Sequence, residues 1–153
     1  VGSEMCIRDR YNRRYYDEYA KNMTQMNALA LIDGDNFGII NEKYGHAAGN
    51  IVIYHIAKMM ENCIRCSDVL IRYEGDKFLL LMENISSQMF EMKLKRIAEA
   101  INNMVLEEYP HIRFSVTIGG VHGVLPLEEA FKEAYQLMEQ GKKEKNHVVM
   151  KRP

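Results

Sequence analysis

Asp33 and Asp35 stand two residues apart, directly after the apolar run ALALI of Ala28 to Ile32. Two carboxylates leaving the end of a buried strand suit a hard cation. Magnesium takes one or two carboxylates and completes its shell with phosphate oxygens and water, so a site of this kind often serves a nucleotide. The same pair can equally cap a following helix, and the two roles are compatible. A third carboxylate, Asp76, sits in the polar interruption Glu74-Gly75-Asp76-Lys77 between the apolar runs VLI and FLLLM. Glycine tolerates positive φ and aspartate bonds its own backbone, so this interruption reads as a tight hairpin turn. A buried hairpin then holds one carboxylate at its tip, either as part of a site or as an ordinary polar turn.

Other reactive residue types carry less. Cys63 and Cys66 form a C-x-x-C, but no second pair completes a zinc site, and on a helix this spacing is more often a pair of neighbours than a redox centre. His46 has no second histidine at ligand spacing and reads as structural. Arg13 and Arg14, near the start of a charged segment, read as solvated, with a phosphate contact as the second reading.

The elements that position these residues follow from periodicity. Tyr15, Tyr19 and Met23 recur every four residues, which predicts an amphipathic helix over Tyr11 to Asn27. ALALI is a central strand. Phe37 to Tyr44 reads as a short helix, Gly45 to Asn50 as a turn, and Ile51 to Arg65 as a longer helix buried through Val52, Ile53, Ile56, Met60 and Ile64. Val69 to Met82 is the hairpin. Ser86 to Tyr109 reads as a helix ended by Pro110, with Met89 and Met92 as core filler beside Leu94, Ile97, Ile101 and Val105. Ile112 to Gly120 alternates as a strand. Leu127 to Gln140 is an amphipathic helix stopped by Gly141, and His147 to Met150 closes the chain as a strand. The pattern is an α/β layout with helices packed on a sheet.

Size and composition bound the function. The 153 residues, 47% hydrophobic and 27% charged, suit one folded domain. A net charge of -1 argues against a protein that holds a nucleic-acid polymer by bulk charge. Three cysteines without a paired framework fit a reducing, cytoplasmic compartment, and no apolar run has the length of a membrane segment. Residues 1–10, VGSEMCIRDR, show neither helical period nor strand alternation and read as a foreign leader, leaving 11–153 as the domain.

Four separated blocks resemble the GGDEF domain family, the diguanylate cyclases of bacterial cyclic di-GMP signalling. They are YNRRYYDEY from Tyr11, DGDNFGIINEKYGHAAGN from Asp33, RCSDVLIRYEGDKF from Arg65 and FSVTIGGV from Phe114. The resemblance covers nearly everything after Tyr11. It implies a palm-like nucleotide-cyclase fold, with a mostly antiparallel central sheet and helices packed around it. It also implies condensation of two GTP into cyclic di-GMP between two facing domains, hence a homodimer. By position it makes Asp33, Gly34 and Asp76 the ligands of Mg2+, with Asp35 in support. Asn41 and Asn50 fall at guanine-recognition positions, and the backbone around Phe37 and Gly38 at phosphate positions. Arg65 and Asp68 match an R-x-x-D inhibitory site for cyclic di-GMP; read alone, they are a surface ion pair.

The chain departs from the family pattern at several of these positions. Glu74 stands where the first glycine would leave the backbone open to the nucleotide, beside Gly75. Lys77 stands in place of an active-site glutamate and puts a cation where the pattern has an anion. It is open to pairing with Asp76 or to meeting a phosphate. Asn50 replaces an aspartate whose carboxylate accepts two hydrogen bonds from guanine, which weakens the choice of GTP over another purine nucleotide. Gly38 replaces a phosphate-binding lysine. Gly141 and Lys145 fall where the pattern has a lysine and an arginine, with Lys142 or Lys143 as substitutes. The expectation is a degenerate GGDEF domain, weak or inactive in catalysis, that binds nucleotide as a regulatory module. The alternatives are an active cyclase and a structural dimerisation module.

Overall fold

The computed structural model describes residues 11–12, 26–65, 67–123, 126–144 and 147–151. The described elements run β1 (Tyr11–Asn12), β2 (Met26–Gly34), α1 (Phe37–Tyr44), α2 (His46–Cys63), β3 (Val69–Glu74) and β4 (Lys77–Glu83). They continue with α3 (Ser87–Asn102), β5 (Val116–His122), α4 (Leu127–Gly141) and β6 (Val148–Lys151). The strands form one sheet in the order β1-β3-β4-β2-β5-β6. Its three central pairings are antiparallel and the two outer ones parallel, as expected of a mostly antiparallel sheet.

Both faces of the sheet are covered, which explains why the central strands are continuous apolar runs. Ala28, Ala30 and Ile32 point to one face, with Leu80 and Met82 of β4, and pack on Val52, Ile56, Phe90, Leu94 and Ile97 of α2 and α3. Leu29 and Leu31 point to the other, with Leu79 and Leu81, and pack on Leu127, Ala130, Ala134 and Met138 of α4. The alternation carries into the site: Asp33 continues the Leu29–Leu31 parity and therefore meets the α4 side. In β5, Gly119 lets α4 lie directly on the sheet, because a Cβ there would come within 2.6 Å of the Met138 amide nitrogen.

Several boundaries differ from the sequence reading. Tyr11–Asn12 is strand paired with Ile71 and Arg72, and Met26 and Asn27 belong to β2, so the helix expected over Tyr11 to Asn27 is absent at both ends. Tyrosine is as good a strand residue as a helical one, and sheet pairing decides it. Its middle, with Arg13 and Arg14, lies outside the described residues, as does 1–10. The expected turn at Gly45 to Asn50 is helix from His46 onward. Gly45, with φ 91°, makes the break, and Gly49 is buried inside α2. α3 ends at Asn102, not at Pro110; Met104, Leu106, Ile112 and Phe114 go on filling the core from irregular chain, so apolar spacing outlasts the helix. Met89, Met92 and Val105 are exposed, and Phe90 is the buried residue of that turn, so the methionines are not core filler. β5 begins at Val116 and runs to His122. Gly141 is the last residue of α4 rather than its stop; a Cβ there would lie 2.7 Å from the Thr117 methyl.

Candidate active site

The site forms where three neighbouring strands end together. The register sets Asp33 opposite Lys77 on β4 and opposite Thr117 on β5, so a cation, a carboxylate and a hydroxyl residue lie in one row across the sheet. The hairpin tip closes onto this row. Gly34 N–H donates to the Asp76 carbonyl at 3.1 Å. A Cβ on Gly34 would lie 3.3 Å from Asp76 Oδ2, so the missing side chain lets the Asp76 carboxylate settle beside the end of β2. The turn is pinned in turn by Arg72, whose Nε donates to the Gly75 carbonyl at 2.8 Å, with Gly75 at φ 47°.

Asp35 is the anchor. It is buried, and its backbone N–H donates to the Ser115 carbonyl at 2.9 Å. Its carboxylate accepts from Ser115 Oγ and from Thr117 Oγ1, each at 2.7 Å. Lys142, the residue after α4, completes the group. Its Nζ lies 3.0 Å from Asp35 Oδ1, 2.9 Å from the Gly34 carbonyl and 3.3 Å from Asp33 Oδ2. Lys142, one of the two lysines next to Gly141, here meets carboxylates. Ser115 and Thr117 lie within the FSVTIGGV block but have no site role in the sequence reading. Their signal in the sequence is two hydroxyls alternating in an otherwise apolar strand, a polar strip on one face.

Burial raises the Asp33 carboxyl from 3.8 to about 6. The Asp76 charge pushes it the same way, while Lys142 and Lys77 pull it back. Two carboxylates in repulsion beside a backbone carbonyl form an all-oxygen donor set, which fits a hard divalent cation that draws its remaining ligands from phosphate and water. Among the described residues no three His, Cys, Asp or Glu side chains gather to hold a metal unaided.

The remaining candidates fall into two groups. Phe37 and Gly38 open α1 next to Gly34, and a Cβ on Gly38 would meet nothing within 4 Å, so the backbone there is open to a ligand. Asn41 packs against Gly49, where any Cβ would collide with its side-chain oxygen. That contact ties α1 to the first turn of α2, where Asn50 is exposed. Glu74 pairs with Lys77 in the hairpin register. The second group stands apart. Arg65 Nη2 reaches Asp68 Oδ1 at 2.9 Å and the Glu83 carbonyl at 2.9 Å, and its backbone N–H donates to Asp68 Oδ2 at 2.7 Å. The Asp68 side chain is fully buried and that of Arg65 is 40% exposed. Burial pushes the Cys63 thiol up, against the thiolate that a redox centre needs; Cys66, like Lys145, lies outside the described residues.

Comparison with known proteins gives the family and the fold. The family model described as "Diguanylate cyclase, GGDEF domain" matches residues 9–147. Diguanylate cyclase A of Treponema denticola is 32% identical over 104 residues, 67% of this chain and 28% of its own length. Diguanylate cyclase DgcM of Escherichia coli K12 is 30% identical over 125 residues, 80% of this chain and 30% of its own. The chain thus spans about a third or less of these curated relatives. Among solved structures, the coiled coil and GGDEF domain of DgcB from Caulobacter crescentus, in complex with c-di-GMP, superimposes with a TM-score of 0.80. It is 19% identical and covers 92% of this chain and 81% of its own, a likeness of fold. Among the described residues no helix is long and apolar enough to cross a membrane. With the family match spanning both the Asp33 and Asp76 blocks, the chain belongs to the GGDEF family of diguanylate cyclase domains.

Proposed function

We propose that this chain is a GGDEF domain of weak or absent cyclase activity that acts as a nucleotide-binding regulatory module in cyclic di-GMP signalling. The observation that carries the reading is Lys77 opposite Asp33. The family pattern has an acid at that position, able to share a metal or accept a proton; an ammonium can do neither and competes for the carboxylate.

In this reading Asp33, the Gly34 carbonyl and Asp76 are the groups that would hold Mg2+, which supplies charge neutralisation at a bound triphosphate. Asp35 keeps the end of β2 in place. The α1 start at Phe37 and Gly38 offers backbone to phosphate, and Asn41 and Asn50 meet the edge of a purine. Glu74 brings a negative charge to the turn where the family pattern has a glycine. Arg65 and Asp68 form the site for cyclic di-GMP. The partners are GTP or another purine nucleotide, cyclic di-GMP and a second copy of the chain.

The test is chromatographic detection of cyclic di-GMP after incubation with GTP and Mg2+. The natural chain is expected to stay at background, and Glu74→Gly with Lys77→Glu to rise above it. Appreciable synthesis by the natural chain overturns the reading. A second reading, an active cyclase, is favoured by the Gly34–Asp76 contact, which keeps the carboxylate pair together; there Asp76→Ala would abolish turnover. Absence of any thermal shift with GTP or cyclic di-GMP would leave the structural dimerisation module.

A further inference from the structure

We propose that the Lys142 ammonium is the resident counter-ion of the Asp33–Gly34–Asp35 oxygen pocket, so that a divalent cation enters only by displacing it. The proposal rests on the reading of Asp33, Gly34 and Asp76 as metal ligands.

An ammonium has three donors and no acceptor. Lys142 meets three acceptors, the Gly34 carbonyl at 2.9 Å, Asp35 Oδ1 at 3.0 Å and Asp33 Oδ2 at 3.3 Å. Two of these groups, Gly34 and Asp33, are the ones assigned to the metal. A divalent cation and an ammonium sharing them would stand within a few ångströms of each other in a partly buried place, where repulsion between them is large.

The seat is built by packing rather than reached by a wandering side chain. Gly141 presses α4 onto the sheet, with the Thr117 methyl 2.7 Å and Val149 Cγ2 3.2 Å from where its Cβ would be. The Lys142 N–H donates to the Met138 carbonyl at 2.9 Å, so the residue leaves the helix in a fixed direction. Its side chain is 24% exposed, so solvent screens the contact only in part.

The test is Mn2+ titration without nucleotide, with free Mn2+ read by electron paramagnetic resonance, on the natural chain, Lys142→Met, Lys142→Arg, Asp33→Asn and the Lys142→Met/Asp33→Asn double variant. Lys142→Met is expected to tighten Mn2+ binding on the order of tenfold or more, given the removal of a full charge at contact distance. Lys142→Arg is expected to leave it weak, and adding Asp33→Asn to Lys142→Met to cancel the gain. Should Lys142→Met fail to fold by circular dichroism, Lys142→Gln keeps a donor to Asp35 without the charge and carries the same expectation. Equal affinity in the natural chain and Lys142→Met, with binding lost in Asp33→Asn, overturns the counter-ion and leaves the metal ligands standing. No Mn2+ on any variant overturns both.

Discussion

Asp33 and Lys77 face each other across the β2–β4 ladder, and the Asp33 carboxyl is raised to about 6 all the same. The carboxyl is raised because burial and Asp76 together outweigh the two lysines that hold it down. In the metal-free protein, the folded state therefore binds a proton that the unfolded chain has already released between about 3.8 and 6. Stability contributed by this group is present at low pH and is lost as pH rises through that window. Asp33→Asn should remove this loss and stabilise the protein above pH 6 by about 1–2 kcal/mol, screening by Lys142 included. Denaturant melts of both proteins in chelator at pH 4.5 and 7.5 check it; a constant difference between them across pH would count against the assignment.

Asp35→Ala acts in the opposite direction. It strips partners from Ser115, from the fully buried Thr117 and from Lys142 in one step. Two hydroxyls left without their acceptor, and an ammonium left with Asp33 and the Gly34 carbonyl alone, cost about 2–4 kcal/mol together. Urea unfolding monitored by circular dichroism reads the loss, and Asp35→Asn should recover part of it.

Gly119→Ala tests the seating of α4. Even one methyl would press on the Ala134 carbonyl and the Met138 backbone, which cannot move without lifting the helix from the sheet. The expected loss is about 1–3 kcal/mol. Gly38→Ala, inside α1 where the added Cβ meets nothing, is the matched control and should stabilise by up to about 1 kcal/mol.

Cyclic di-GMP should bind with calorimetric heat to the natural chain and not to Arg65→Ala. Arg65 holds Asp68 and the Glu83 carbonyl through Nε and Nη2, which fixes the plane of its guanidinium and leaves the Nη1 edge to meet the ligand. Arg65→Lys keeps the charge but not the forked geometry and should bind more weakly than the natural chain. Equal heats for all three proteins would remove Arg65 from the interaction.

What could be read from the sequence follows from where burial is two-sided. Val69 to Met82 was legible because both of its faces are covered, leaving two apolar runs around one short polar interruption. Phe37 to Tyr44 was legible as a short period between glycine and aspartate breaks. Gly49 misled because a glycine needed for helix–helix approach looks the same as a glycine needed for a turn. Met89 and Met92 misled because Phe90, between them, takes the core position. The carboxylate pair Asp33 and Asp76 was legible from the strand and turn that carry it. The cation that meets Asp33 was less so: Lys142 is distant in sequence by more than a hundred residues, and only the packing of α4 on β5 brings it to Gly34.

β4 joins the two charged places of the molecule by its ends. Lys77 is its first residue, opposite Asp33, and Glu83, whose carbonyl Arg65 holds, is its last. Six steps of extended chain put those ends about 20 Å apart. A strand walled in by the core on both sides is a stiff strut, so the two places cannot be bridged by one mononucleotide.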